Sequence, residues 1–128
     1  MHITTSLIEM GCFVKKTGSK VICNPPPSDS DTDYLVNCFN DKRLLVITHY
    51  LEKEGFESES ESYEGHDNDF NSYRKGNINL IVTSDSEFSE KHCLATAVCR
   101  KLNLVNKDDR IMVFKAFLYN ETPNEEIF

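Results

Sequence analysis

The sequence predicts an α/β (α+β) fold in which a small mixed β-sheet is flanked by helices, and three observations lead there. Short apolar or alternating runs such as "TDYLV" and "INLIV" are interleaved with longer segments of helical periodicity. The helical segments carry start and stop signals: a glycine at the ends of the first two, and acids or a capping box at the starts of the others. No internal repeat or composition break divides the 128 residues, so residues 1–120 read as one domain and 121–128 as a loose tail.

Taken in order, residues 4 to 10 predict a short opening helix, with Thr4 or Thr5 at its start and Gly11 at its end. "CFVKKTGSKVIC" reads as a strand broken by a turn at Thr17-Gly18-Ser19. "NPPPSDSD" is an extended loop, because consecutive prolines allow neither helix nor ladder pairing. "TDYLVNC" is a short strand. In "DKRLLVITHYLEKEGF", Leu44, Ile47, Thr48 and Leu51 share a helical face, Asp41 caps and Gly55 terminates. The acidic stretch beyond it is expected to be a hydrated loop.

"FNSYRKGNINLIVTSD" fits either two short strands around Lys75-Gly76 or one long bent strand. Ser84 and Glu87 suggest a capping box for a helix from about 85 to 103, with Phe88, Leu94, Ala95, Val98 and Leu102 inward. A last helix, about 107 to 119, has Asp108 and Asp109 in its first turn and Ile111, Phe114 and Leu118 on one face.

Charge and cysteine usage narrow the function. The net charge of −7 is local: Glu52 to Asp69 holds eight acids and one Lys, leaving thirteen acids against thirteen bases elsewhere. Broad nucleic-acid binding, which needs an extended basic face, is not expected. No apolar run is long enough to span a membrane and the start lacks the pattern of a signal peptide, so no membrane partner and a cytoplasmic location are expected. The five cysteines are odd in number and scattered, with no CxxC pair, which points to reduced and mostly buried thiols rather than a disulfide framework or a zinc site.

The stretch "TGSKVICNPPPSDSDTDYLV" is the candidate site. In an extended chain Asp31 and Asp33 share a face about 7 Å apart. Both can then reach one hard cation, and Mg²⁺ favours one or two carboxylates with phosphate and water filling the rest of its shell. Gly18 permits close backbone approach to an anion, and Ser19 adds a hydroxyl and an amide. Simpler readings compete. The acids can line a solvated turn, or Gly18-Ser19 can merely shape a hairpin. A calcium loop fails because Tyr34 and Asn40 stand where its Gly and bidentate Glu belong, and no GxxxxGK[ST] phosphate loop exists.

"TGS" followed eleven residues later by Asp-x-Asp opening a strand resembles the nucleotidyltransferase superfamily that includes DNA polymerase beta and the minimal nucleotidyltransferases. The wider sequence, notably "SYRKGNINLIVTSD", "LATAVCRKLNL" and "DRIMVFKAFLY", looks like small nucleotidyltransferase-like proteins of tailed bacteriophages. The resemblance implies a nucleotidyltransferase-like fold and, if phage-encoded, a place in the host cytoplasm. It also implies that Gly18 and Ser19 grip the phosphates of a nucleoside triphosphate while Asp31 and Asp33 hold Mg²⁺ or Mn²⁺. The NMP would pass to a hydroxyl of an unknown acceptor or host protein.

The superfamily's third carboxylate, from a neighbouring strand, is replaced here by Asn79, which brings no charge and takes no proton. Asp85, six residues on, is too distant along an extended strand, and Asp67 or Asp69 would have to swing in from the acidic loop. Arg74 and Lys75 read either as phosphate-neutralising bases or as a solvated hairpin tip. The alternative function is a binding module on the same fold: a nucleotide sensor, or an inhibitor of a host protein.

Overall fold

A computed structural model describes residues 2–28, 31–59 and 69–121. The chain runs through α1 (Ile3–Glu9), β1 (Phe13–Thr17), α2 (Ser19–Ile22), β2 (Thr32–Asn37) and α3 (Asp41–Lys53). It continues through β3 (Glu57–Glu59), β4 (Asn71–Lys75), β5 (Ile78–Thr83), α4 (Ser86–Lys101) and α5 (Lys107–Tyr119). The strands make one five-stranded mixed sheet in the order β1-β2-β5-β4-β3. Its centre, β2 against β5, is parallel, and every other pairing is antiparallel.

The two faces of the sheet bury separate cores, because alternate residues of each strand point to opposite sides. On one face Val36, Leu80, Val82 and Tyr73 pack with Leu7 of α1 and with Ile47 and Leu51 of α3. On the other, Leu35 and Ile81 pack with Ile22 of α2, Phe88, Ala95 and Cys99 of α4, and Phe114 and Leu118 of α5. This three-layer arrangement matches the predicted fold class. No helix among the described residues is long and apolar enough to cross a membrane.

Several local expectations are corrected. The chain leaves the Gly18 turn as the short helix α2 rather than as a strand. α1 begins one residue early, with His2 at the N-cap position. The acidic stretch opens as the edge strand β3, paired to β4. Residues 60–68, the rest of that stretch, lie outside the described residues, as do Asp29, Ser30 and the tail from 122.

Capping shifts by one residue at two helices. Asn40, not Asp41, accepts the Arg43 amide at 2.8 Å to start α3. Asp85, not Ser84, accepts the amides of Glu87 and Phe88 to start α4. Replacing Asn40 with Ala is therefore expected to lower stability by about 1 kcal/mol, more than Asp41→Ala does, as read from denaturant unfolding midpoints.

The inward face of α4 also differs from a count of apolar residues. Phe88, Ser89, His92, Ala95, Thr96 and Cys99 are buried, whereas Leu94 and Leu102 are exposed. Thr96 Oγ1 donates to the His92 carbonyl at 2.9 Å and lies 2.8 Å from Thr17 Oγ1.

Candidate functional site

The β1–β2–β5–β4–β3 register places Thr17, Asp33, Asn79, Arg74 and Glu57 opposite one another in a single row across the sheet. Residues directly opposite in paired strands point to the same face. This row lies near the start of the two parallel strands, on the face that α2, α4 and α5 cover further along.

Gly18 ends β1 with φ +78 and ψ −169, a backbone region open only to glycine. The bend lays its α-carbon against the neighbouring strand so closely that a methyl group there would stand 2.1 Å from Asp33 Oδ2. Ser19 follows at once as the first residue of α2, whose amides at Val21 and Ile22 fold back onto the Gly18 carbonyl at 3.0 Å. The glycine bend and the second acid are thus in van der Waals contact, although fifteen positions separate them in sequence.

Asp33 is oriented from the other side by Asn79, whose Nδ2 donates to Asp33 Oδ1 at 3.1 Å. Asn79 is itself buried and fixed, since its Oδ1 accepts from Ser72 Oγ at 2.8 Å. Asn79 is therefore an amide that holds an acid in place. Its oxygen is turned to Ser72 and its nitrogen to Asp33.

Asp31, two residues before Asp33, forms an ion pair with Arg74, whose Nε also donates to Glu59 Oε1 at 2.9 Å. The hydrogen bond to Asp31 is the main cause of a further rise in the Arg74 pKa, with the charges of Asp31 and Glu59 adding to it. The side chains of this triad are 26–43% exposed, so each pair contributes at most about 1 kcal/mol.

Lys75 is not brought to this cluster. Adjacent strand residues face opposite ways, and its ammonium donates to the Glu54 carbonyl at 2.8 Å beside the Phe56 ring, on the α1/α3 side of the sheet. Asp69 lies at the far end of β4, where its carbonyl accepts from Thr83, and Asp85 caps α4. Asp67 lies outside the described residues.

Two groups at the site escape sequence reasoning. Lys20, on α2, donates to Thr32 Oγ1 at 3.2 Å, a bond to the residue that lies between the two acids in sequence. Glu59 reaches Arg74 because β3 pairs with β4. The alternation of Glu and Ser from residue 57 was the available signal, but its charge argued for a loop.

No group of three or more His, Cys, Asp or Glu side chains is gathered for a metal among the described residues. Two carboxylates on one face still suit a divalent cation that arrives with a polyphosphate, since the phosphates and water complete its shell.

In shape the chain is similar to the crystal structure of conserved protein GrpB from Enterococcus faecalis. The TM-score is 0.58 with 14% sequence identity, covering 91% of this chain and 87% of that one. This is a nucleotidyltransferase-like fold. No protein-family model and no curated protein matches the sequence. Gly18 meets Asp33, Asn79 bonds to Asp33 and Arg74 pairs with Asp31, while Ser19 follows Gly18 as the first residue of α2 and Lys75 stands on the other face.

Proposed function

We propose that this chain binds a nucleoside triphosphate together with a divalent cation and transfers the NMP to a hydroxyl acceptor. The observation that carries the reading is the contact of the Gly18 bend with Asp33, on a face that also bears Asp31, Arg74 and Asn79. Gly18 and Ser19 would receive the β- and γ-phosphates through their backbone amides and the Ser19 hydroxyl. Asp31 and Asp33 would hold the cation, Mg²⁺ or Mn²⁺, which when bound neutralises phosphate charge and polarises the phosphorus under attack.

Arg74 would exchange its carboxylate partners for phosphate oxygens, to which a guanidinium can bond in bidentate fashion. An acceptor hydroxyl would attack the α-phosphorus, its new P–O bond forming as the bond to pyrophosphate breaks, and its proton would pass to water. Asn79 keeps Asp33 oriented throughout. The resemblance of the wider sequence to phage-encoded proteins makes a host protein one candidate acceptor, in the host cytoplasm.

One observation favours a second reading. Asn79 occupies the row beside Asp33 with both ends of its amide bonded, and an amide cannot take the acceptor's proton. On that reading the chain binds nucleotide without turnover and acts as a sensor or as an inhibitor of a partner. Incubation with α-labelled NTP, Mg²⁺ or Mn²⁺ and cell lysate separates the two. Label transfer that disappears in both Asp31→Ala and Asp33→Ala supports the enzyme. Metal-dependent binding without transfer supports the module, and transfer that survives both substitutions contradicts the site.

A further inference from the structure

Cys12 and Cys38 lie at the opposite end of the β1–β2 pair from the candidate site, on the other face of the sheet. The antiparallel register ends with Phe13 opposite Asn37, so the next residues outward, Cys12 and Cys38, face each other. Their sulfurs are 3.9 Å apart and share a hydrogen bond. Opposed residues of antiparallel strands have α-carbons about 4.5–5.5 Å apart, inside the range of about 4.4–6.8 Å that disulfides span. Joining the sulfurs asks them to close from 3.9 Å to the roughly 2.05 Å of an S–S bond, chiefly by side-chain rotation.

We propose that Cys12 and Cys38 are a redox pair that closes to a reversible intramolecular disulfide on exposure to a peroxide. The two thiols are unlike, as such a pair requires. Contact with Cys38 pulls the Cys12 pKa down against the effect of burial, and the nearby Arg43 charge adds to the lowering. The Arg43 guanidinium is fixed there by its bond to the Gly11 carbonyl at 3.2 Å. Cys38 is pushed the other way, by its contact with Cys12 and by burial. Cys12 is also the more accessible, at 7% exposure against 0% for Cys38.

Cys12, the more accessible of the two and next to Gly11, whose carbonyl holds the Arg43 guanidinium, is the attacking sulfur in this assignment. Its thiolate forms an S–O bond as the peroxide O–O bond breaks, and hydroxide leaves and is protonated to water. The Cys38 sulfur then attacks the sulfenic sulfur. The S–S bond forms as the S–O bond breaks, and the departing hydroxide takes up the Cys38 proton as a second water. Two electrons pass from the sulfurs to the peroxide, and a thiol reductant reverses the change.

The disulfide would enclose residues 12 to 38 in a covalent ring that contains the Gly18 bend and both acids, though the proposal stands independently of the nucleotide reading. The folded full-length chain is treated with hydrogen peroxide, then alkylated under denaturing conditions and weighed. Alkylatable thiols are expected to fall from the five cysteines of the sequence to three, with a Cys12–Cys38 linked peptide that a thiol reductant abolishes. Cys93→Ser is expected to cross-link as the parent does. Cys38→Ser is expected to leave Cys12 as a sulfenic acid that a dimedone probe captures. All five thiols still alkylatable after a peroxide dose that oxidises free cysteine, or a linkage joining a different pair, overturns the proposal. Because the linkage is read in the parent chain, a folding defect in a serine variant leaves the result intact.

Discussion

Gly18→Ala is expected to eliminate nucleotide binding and to lower stability by about 1–3 kcal/mol, the range for a side chain forced into a glycine-only backbone region. Both effects have one origin. At φ +78 and ψ −169 the added methyl is strained, and it would stand 2.1 Å from Asp33 Oδ2, so either the bend or the carboxylate must move. Movement of Asp33 breaks its bond from Asn79 and carries the acid out of the row. Gly76→Ala is the control, since φ there is also positive, at +60, but nothing lies within 4 Å of an added methyl. Denaturant unfolding and calorimetric titration of the two variants should show a stability loss in both and a loss of binding only at Gly18.

Acid sensitivity from His92 is expected to be the second large effect. His92 is almost wholly buried against the rings of Phe88 and Phe114, and its Nδ1 has no hydrogen-bond partner among the described residues. Burial alone lowers its pKa from 6.5 to about 4. Above pH 6.5 the histidine is neutral in both folded and unfolded chains and contributes nothing to pH dependence. Between 6.5 and 4 the unfolded chain takes up a proton that the folded chain refuses, so stability falls as pH falls, by up to about 3 kcal/mol across that window. His92→Leu should flatten this part of the stability–pH curve. Parallel curves for parent and variant between pH 7 and 4 would show that His92 is not held neutral in this way.

The sheet and its strands were legible where the sequence signal and the burial signal agree. Leu35-Val36 in β2 and Leu80-Ile81-Val82 in β5 are unbroken apolar runs because both sheet faces are covered, and the Lys75-Gly76 turn between β4 and β5 follows from glycine chemistry. α4 was misread on its inner face because its buried positions include Ser89, His92 and Thr96. Thr96 is bonded to the His92 carbonyl and to Thr17, and the His92 ring packs against Phe114, contacts that no hydrophobicity pattern records.

The candidate site was legible in part for the same kind of reason. Two-residue spacing alone puts Asp31 and Asp33 on one face. The Asp33–Gly18 contact, by contrast, depends on a β1–β2 register that appears only once the strands pair. Arg74 and Lys75 look equivalent as neighbours in sequence, yet a strand must send them to opposite faces. Glu59 was hidden by charge, because an acidic run looks like solvated loop whether or not it adds an edge strand.

The most direct measurement of the central claim is a stability shift with each of the four NTPs, with and without Mg²⁺, in the parent chain and in Asp33→Asn. A ligand that binds only the folded chain adds about 2.7 kcal/mol at 100 times its Kd. The predicted result is stabilisation by nucleotide that requires the metal and is lost in Asp33→Asn. No stabilisation by any NTP with metal, or an equal shift in parent and variant, would contradict a nucleotide site built from the Gly18 bend and the two acids of β2 and its approach.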